Sequence, residues 1–364
     1  MLALPRGRAA IAILALVSVG GCRRPTDIAW SFATPRPWVL AGDSQALTPV
    51  IEGDLVFFCG GYEEKGASQL YALELQTGRP KWQFNAGSCG SPPLISDGTV
   101  VAFTLAGHGD RIVVFGLDKD SGRQKWKVEL PGNPHPPAPA VAGDFVFFAP
   151  GSRSVLRIDG RDGSVQSFDI DADLTVAADN LWVAGAPGAA IFGYGKSYWR
   201  SQIDSDPLDP GPALSEPAGR PTGVASDGRI LLFGDDDGNL RAIDLGKGSV
   251  IWRHHWNKIL SAPLVADGKV FVNVYDKKYA LAALALTSGR ELWHIEEGST
   301  YAPSWKDGRL YAASGARVLV LEGASGKIQA RFAAQTEVTT TPIPGGDVIL
   351  FGTVRGVLYA ARGR

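Results

Sequence analysis

Three kinds of residue in this chain have types and spacings that could support chemistry. The run Asp235-Asp236-Asp237-Gly238-Asn239 has the oxygen-rich content of a calcium loop, but it lacks the spaced glutamate that closes an EF-hand. Its Asp-Gly pair has the make-up of a tight turn. Residues 193–197 read GYGKS and end like a phosphate-binding loop, yet Ala190 stands where that motif needs glycine, and no strand-loop-helix context surrounds it. The five histidines are His108, His135, His254, His255 and His294. His254 and His255 are adjacent on a predicted strand, so their rings point to opposite sides and cannot share one metal ion. His108 and His135 fall in predicted loops. No serine or cysteine has a nucleophile context. No catalytic, cofactor-binding or metal-ligating residue is therefore assigned.

The cysteines, Cys22, Cys59 and Cys89, say more. Residues 1–8 carry Arg6 and Arg8, residues 9–19 are apolar except for Ser18, and Gly20-Gly21-Cys22 follows. This is a basic segment, an apolar core too short to span a bilayer, and a small-residue cleavage point, which together make an export signal. A cysteine in that place resembles the bacterial lipobox, in which the sulfur is acylated and becomes the new N-terminus. The resemblance implies residues 1–21 as a lipoprotein signal peptide and 22–26 as a lipidated tether bearing palmitate-type chains at Cys22. At about 0.8 kcal/mol per buried CH₂, more than one chain anchors stably. Arg23 and Arg24 are not the aspartate of inner-membrane retention, so the expected location is the outer membrane, facing the periplasm. Cleavage removes two of 36 basic residues and none of 37 acidic ones, leaving 34 against 37. Nothing in that balance suggests nucleic acid, which needs a concentrated basic patch.

The elements that would position these residues are written as a repeat. The phrase QLYALELQTGRPKWQF (69–84) recurs in altered form at 112–128, 240–256 and 281–295. A small residue or proline, followed four and five residues later by a Gly/Asp/Asn pair, appears at Pro49, Pro93, Pro139, Thr175, Gly223, Pro263, Pro303 and Pro342. These eight anchors, roughly 40 residues apart, fit four short strands and their turns per unit. The Asp/Gly pairs tolerate the positive φ that a two-residue hairpin demands. A second turn carries Gly78, Gly122, Gly163, Gly248, Gly289 or Gly326, and Trp82, Trp126, Trp252 or Trp293 follows its glycine by four residues. Phe168 is shifted by one, and Ala330 replaces the ring. One four-stranded sheet cannot bury both of its faces, so each unit must pack on the next, with the indole lying across a turn of its neighbour. The last unit stops after its third strand, and AWSF (29–32) matches KWQF (81–84). The N-terminal segment is thus expected to complete the final sheet, with Trp30 in the place of Trp82. The prediction is an all-β, eight-bladed propeller over 27–364, four antiparallel strands per blade and monomeric.

The unit resembles the pyrroloquinoline-quinone (PQQ) type propeller repeat over nearly the whole exported chain. A lipobox before one propeller of this length is similar to the propeller lipoproteins of the outer-membrane β-barrel assembly machinery. That resemblance implies a lipid-anchored envelope scaffold that docks other proteins, the barrel-assembly complex among them, without a cofactor. The same repeat builds exported PQQ-dependent oxidoreductases and ligand-binding quinoprotein-like propellers. That alternative would bring PQQ and calcium, but the family's vicinal cysteines are missing here. Cys59 and Cys89 are expected at one end of the ring, where they are either bridged or two buried thiols. The same end gathers Tyr62, Arg111, Arg153, Asp236, Tyr275, Lys277 and Arg355 in loops peculiar to each unit, and it is the candidate partner face.

Overall fold

A computed structural model describes residues 27–34, 48–60, 68–106, 111–131, 139–151, 154–169, 181–186, 189–194, 197–202, 209–210, 221–235 and 237–362. Among them the secondary structure is strand and turn, and no helix is long and apolar enough to cross a membrane. The middle strands are written as continuous apolar runs rather than alternating ones because both of their faces are covered. Leu55–Gly60 and Val348–Thr353 are buried at every position. Phe57, Phe58, Phe147, Phe148, Phe233, Phe271 and Phe351 are among the largest fully buried side chains.

Among the described residues the strands assemble into seven hydrogen-bonded blades, which corrects the expected eight. The first two sequence units do not separate. Their strands, from Val50–Glu52 to Gln124–Pro131, form one eight-stranded sheet, because Pro80–Cys89 runs on past its expected end and pairs with Thr99–Ala106 through Ser88↔Leu105 and Cys89↔Thr104. Gly90 N–H then donates to Phe103 O at 2.8 Å. The link between the units is held against a neighbouring strand, where its backbone groups need partners, and the adjacent strand supplies them. Another blade has five strands, since Lys258–Ile259 joins Lys269–Tyr275. The remaining five have four strands each.

The ring closes through the chain's own ends. Ile28–Ala33 lies antiparallel to Val357–Arg362, pairing Trp30 with Ala360 and Phe32 with Leu358. This joint shares a buried cluster with the next blade, in which Trp30, Leu350 and Leu358 meet Val56, Phe58 and Leu73.

Five equivalent contacts dock each sequence unit on the next, the Trp82 contact inside the merged eight-stranded sheet. The indole N–H of Trp30 donates to Leu75 O, Trp82 to Lys119 O, Trp126 to Gly160 O, Trp252 to Leu286 O and Trp293 to Gly323 O, at 2.7 to 3.1 Å. Each ring lies over the turn glycine of the following unit: Gly78, Gly122, Gly163, Gly289 and Gly326. A one-residue bulge immediately precedes each tryptophan. Ala72 faces Trp82 but Leu73 faces Pro80, and Gly116/Leu117, Ala242/Ile243 and Ala283/Leu284 repeat the slip. The extra residue turns the indole out of its own strand's register and onto the neighbour.

Candidate docking face

The blades present two unlike ends. At one, the Asp/Gly pairs make hairpins: Asp97-Gly98, Asp267-Gly268 and Asp307-Gly308 hold positive φ at both residues, the requirement of a type I′ turn. At the other end lie the loops between second and third strands and the links between units, and this is where the partner face was sought.

Of the residues expected there, the described ones stand on different blades. Arg111 opens Arg111–Asp118; it is exposed and lies 3.8 Å from Glu129, a carboxylate held below its ordinary range chiefly by the hydrogen bond from Lys127. Tyr275 ends Lys269–Tyr275 and Tyr279 begins Tyr279–Ala285, their rings 5.5 Å apart and edge to face. Tyr279 is 50% exposed, and Lys277 projects from the tip between them. The Lys278–Glu296 pair beside this tip is exposed on both sides and contributes little to stability, though it depresses the glutamate's pKa. Arg355 is exposed in the turn before Val357–Arg362, next to the exposed Val354. The structure thus brings Tyr275 and Lys277 together on one hairpin and leaves Arg111 and Arg355 on other blades. Tyr62, Arg153, Asp236 and Cys22 lie outside the described residues.

Two buried polar residues stand at this end, Asp235, the first residue of the acidic run, and Asn273, which no motif marks. Asp235 is buried; it accepts from the guanidinium of Arg241 and from the backbone and side-chain N–H of Asn239, whose amide oxygen meets His255 Nδ1 at 3.2 Å. Asn273, wholly buried, donates to Tyr301 O at 2.7 Å across two blades. Both are polar residues inside apolar strands, and that mismatch was the signal available in the sequence. Cys59 and Cys89 are joined in a disulfide, with Cα atoms 6.4 Å apart, pinning the end of Leu55–Gly60 to the extension of Pro80–Cys89.

The described residues do not gather into a site for a quinone and its calcium ion. The two described cysteines are 30 positions apart and bridge two strands, so they make no vicinal ring. The acidic run, tested as a calcium loop, commits Asp235 to a guanidinium and an amide, and Gly238 takes φ +85° in an ordinary turn. His254 stacks on Trp256 at 4.1 Å while His255 turns to Asn239, and His294 pairs with Glu291. Among the described residues no three His, Cys, Asp or Glu side chains converge on one point.

A ring of twisted antiparallel sheets, docked by tryptophan on glycine and closed by its own N-terminal strand, is the architecture of the PQQ-type propellers. The sequence profile described as "Outer membrane protein assembly factor BamB" matches residues 23–172, 192–304 and 277–363. The chain belongs to the BamB family. It is 24% identical over 273 residues to the BamB of Burkholderia pseudomallei, covering 70% of this chain and 67% of that one. The crystal structure of BamB from Moraxella catarrhalis superposes with a TM-score of 0.64 at 15% identity, over 92% of this chain and 99% of the other. A quinohemoprotein alcohol dehydrogenase from Pseudomonas putida HK5 gives 0.66 at 13% identity, over 92% and 76%. The last two likenesses concern the fold alone.

Proposed function

We propose that this protein is a lipid-anchored scaffold of the bacterial envelope, working in outer-membrane protein assembly and docking its partners through the loop end of the ring. The observation that carries this reading is the family match, which runs through nearly all of the exported chain. The structure supplies a compatible physical basis. A core of buried aromatic and aliphatic strands holds the loops on a stiff frame, and the exposed tyrosines and arginines at one end are types enriched where proteins meet. Tyr275, Lys277, Arg111 and Arg355, with Tyr62, Arg153 and Asp236, are the proposed contact set. Cys22 is the proposed point of acylation, and the outer membrane the proposed site of residence.

Photo-cross-linking from Tyr275, Lys277, Arg111 and Arg355 in intact cells, followed by mass spectrometry, tests this. Capture of a subunit of the barrel-assembly complex from the loop end, and not from Asp97 or Asp267 at the other end, is the expected result. Capture of no such subunit from any of the four positions refutes the assembly role.

A further inference from the structure

The two ends of the ring differ in how they meet the strand that leads to the anchor. Ile28–Ala33 runs antiparallel to Val357–Arg362, with Ile28 opposite Ala361 and Ala33 opposite Val357. Arg362 N–H donates to Asp27 O at 2.7 Å, and at the far end Thr34 N–H donates to Gly356 O at 2.9 Å. Arg362 is itself paired with Val348, beside the Gly346-Asp347 hairpin. Asp27 therefore enters the ring at the hairpin end, and the strand delivers the chain to the loop end only at Thr34. The strand's direction fixes this.

Five Cα steps separate Cys22 from Asp27, a reach of at most about 18 Å even when fully extended. The strand joining the two ends of the closing blade, Val348–Thr353, is six residues and so about 20 Å long. An acylated Cys22 can thus approach the hairpin end freely, but the tether is shorter than the climb to the loop end.

The shapes of the two ends agree with this. In the blades whose turns are described, the hairpin-end connections span two residues, as at 53–54 and 97–98, up to five, as at 75–79 and 286–290, and project little. Some of their charges are paired in place, Lys81 and Lys119 with Asp120, Arg161 with Asp159, and Lys269 with Asp267. The loop-end connections are uneven: 16 residues separate Ala33 from Val50, and eight separate Ile295 from Ser304. A low face of short turns can lie close along lipid headgroups, whereas an uneven one with exposed tyrosines fits a protein.

We infer that the hairpin end of the ring, bearing Asp267, Asp307 and Asp347, faces the bilayer surface, and that the loop end points away from the membrane. This rests on the acylation of Cys22 proposed above. The consequence is directional: a partner must approach from the aqueous side, and Tyr275 and Tyr279 serve as protein contacts rather than as interfacial membrane anchors.

The test uses the full acylated chain reconstituted in vesicles of phosphatidylethanolamine and phosphatidylglycerol containing a headgroup spin-labelled lipid. A fluorophore is placed at Asp347→Cys or Asp267→Cys at the hairpin end, and at Arg355→Cys or Lys277→Cys at the loop end. Each pair flanks a single strand, so radial position is matched. Quenching several-fold stronger at 347 and 267 than at 355 and 277 is expected, and a long Gly/Ser insertion after Arg24 should bring the ratio toward one. Equal quenching, or stronger quenching at 355 and 277, overturns the orientation while leaving acylation standing. Metabolic labelling with an alkyne fatty acid, compared with Cys22→Ser, reads the anchor separately; no label in the wild-type chain overturns both.

Discussion

Gly122→Ala attacks the contact that joins one sequence unit to the next. Gly122 holds φ +69°, and an added Cβ would sit 2.6 Å from Cδ2 of Trp82, closer than carbon atoms approach. Two costs follow. An alanine in the left-handed region costs about 1–2 kcal/mol. Displacing the indole adds the overpacking cost, about 1–3 kcal/mol, and endangers the Trp82 hydrogen bond to Lys119 O, about 1 kcal/mol. The whole is about 3–6 kcal/mol. Gly98→Ala is the matched control. It lies in the same eight-stranded sheet with φ +66°, but the nearest atom to its new Cβ is Lys119 Cε at 3.9 Å, so the backbone cost stands almost alone, again about 1–2 kcal/mol. Urea unfolding followed by tryptophan fluorescence should place Gly122→Ala well below Gly98→Ala in midpoint. In a Trp82→Ala background the excess cost at Gly122 should vanish, giving a coupling of about 2–4 kcal/mol. If the two glycine variants unfold within about 0.5 kcal/mol of each other, or if the cycle shows no coupling, the docking account is wrong.

Three further outcomes follow from the same structure. Replacing Cys59 and Cys89 together with serine opens a loop of about 30 residues, which the chain-entropy relation sets at about 3–4 kcal/mol; dithiothreitol should lower the melting temperature of the wild-type protein but not of this variant. Trp30→Ala should cost about 3–5 kcal/mol and speed amide exchange in Val357–Arg362 before other strands, because it unpins the joint where the ring closes. Asp159 is held below its ordinary pKa of 3.8, first by the side-chain hydrogen bond from Arg161 and then by the Arg161 backbone N–H and charge, against its own burial. A depressed carboxylate contributes stability that is present above the unfolded pKa and lost as pH falls through the folded one. Asp159→Asn should therefore melt lower than wild type at pH 7, with the gap closing below pH 3.8 as wild type declines; a gap that is constant with pH refutes the ion pair's role.

What could be read in the sequence, and what could not, divides along the distance over which each feature is determined. The glycine-to-tryptophan spacing announced an inter-unit contact because both ends of it obey local rules: a turn that needs positive φ, and a large ring four residues on. The bulge that aims each ring is nearly silent in sequence, since two of its residues, Lys81 and Lys125, are cationic and two, Ile251 and Leu292, aliphatic, and only the register reveals them. The blade count failed for a related reason. Anchors counted along the chain give eight units, but whether two units separate depends on where the link's hydrogen bonds go, and the residues after Phe84 found a strand edge within reach. The bridge between Cys59 and Cys89 holds that extension against the end of Leu55–Gly60, so one covalent bond and two backbone pairs reinforce the same merger. The docking face was the least legible part, and necessarily so. The tryptophans, glycines and buried phenylalanines serve packing that every blade repeats, so repetition exposes them. Tyr275, Lys277, Arg111 and Arg355 occur once each, in connections that no internal contact requires to be alike. Nothing within one chain singles out a residue whose purpose is another chain; the direction of Ile28–Ala33 bears on which end of the ring would meet a partner only together with the proposed acylation of Cys22.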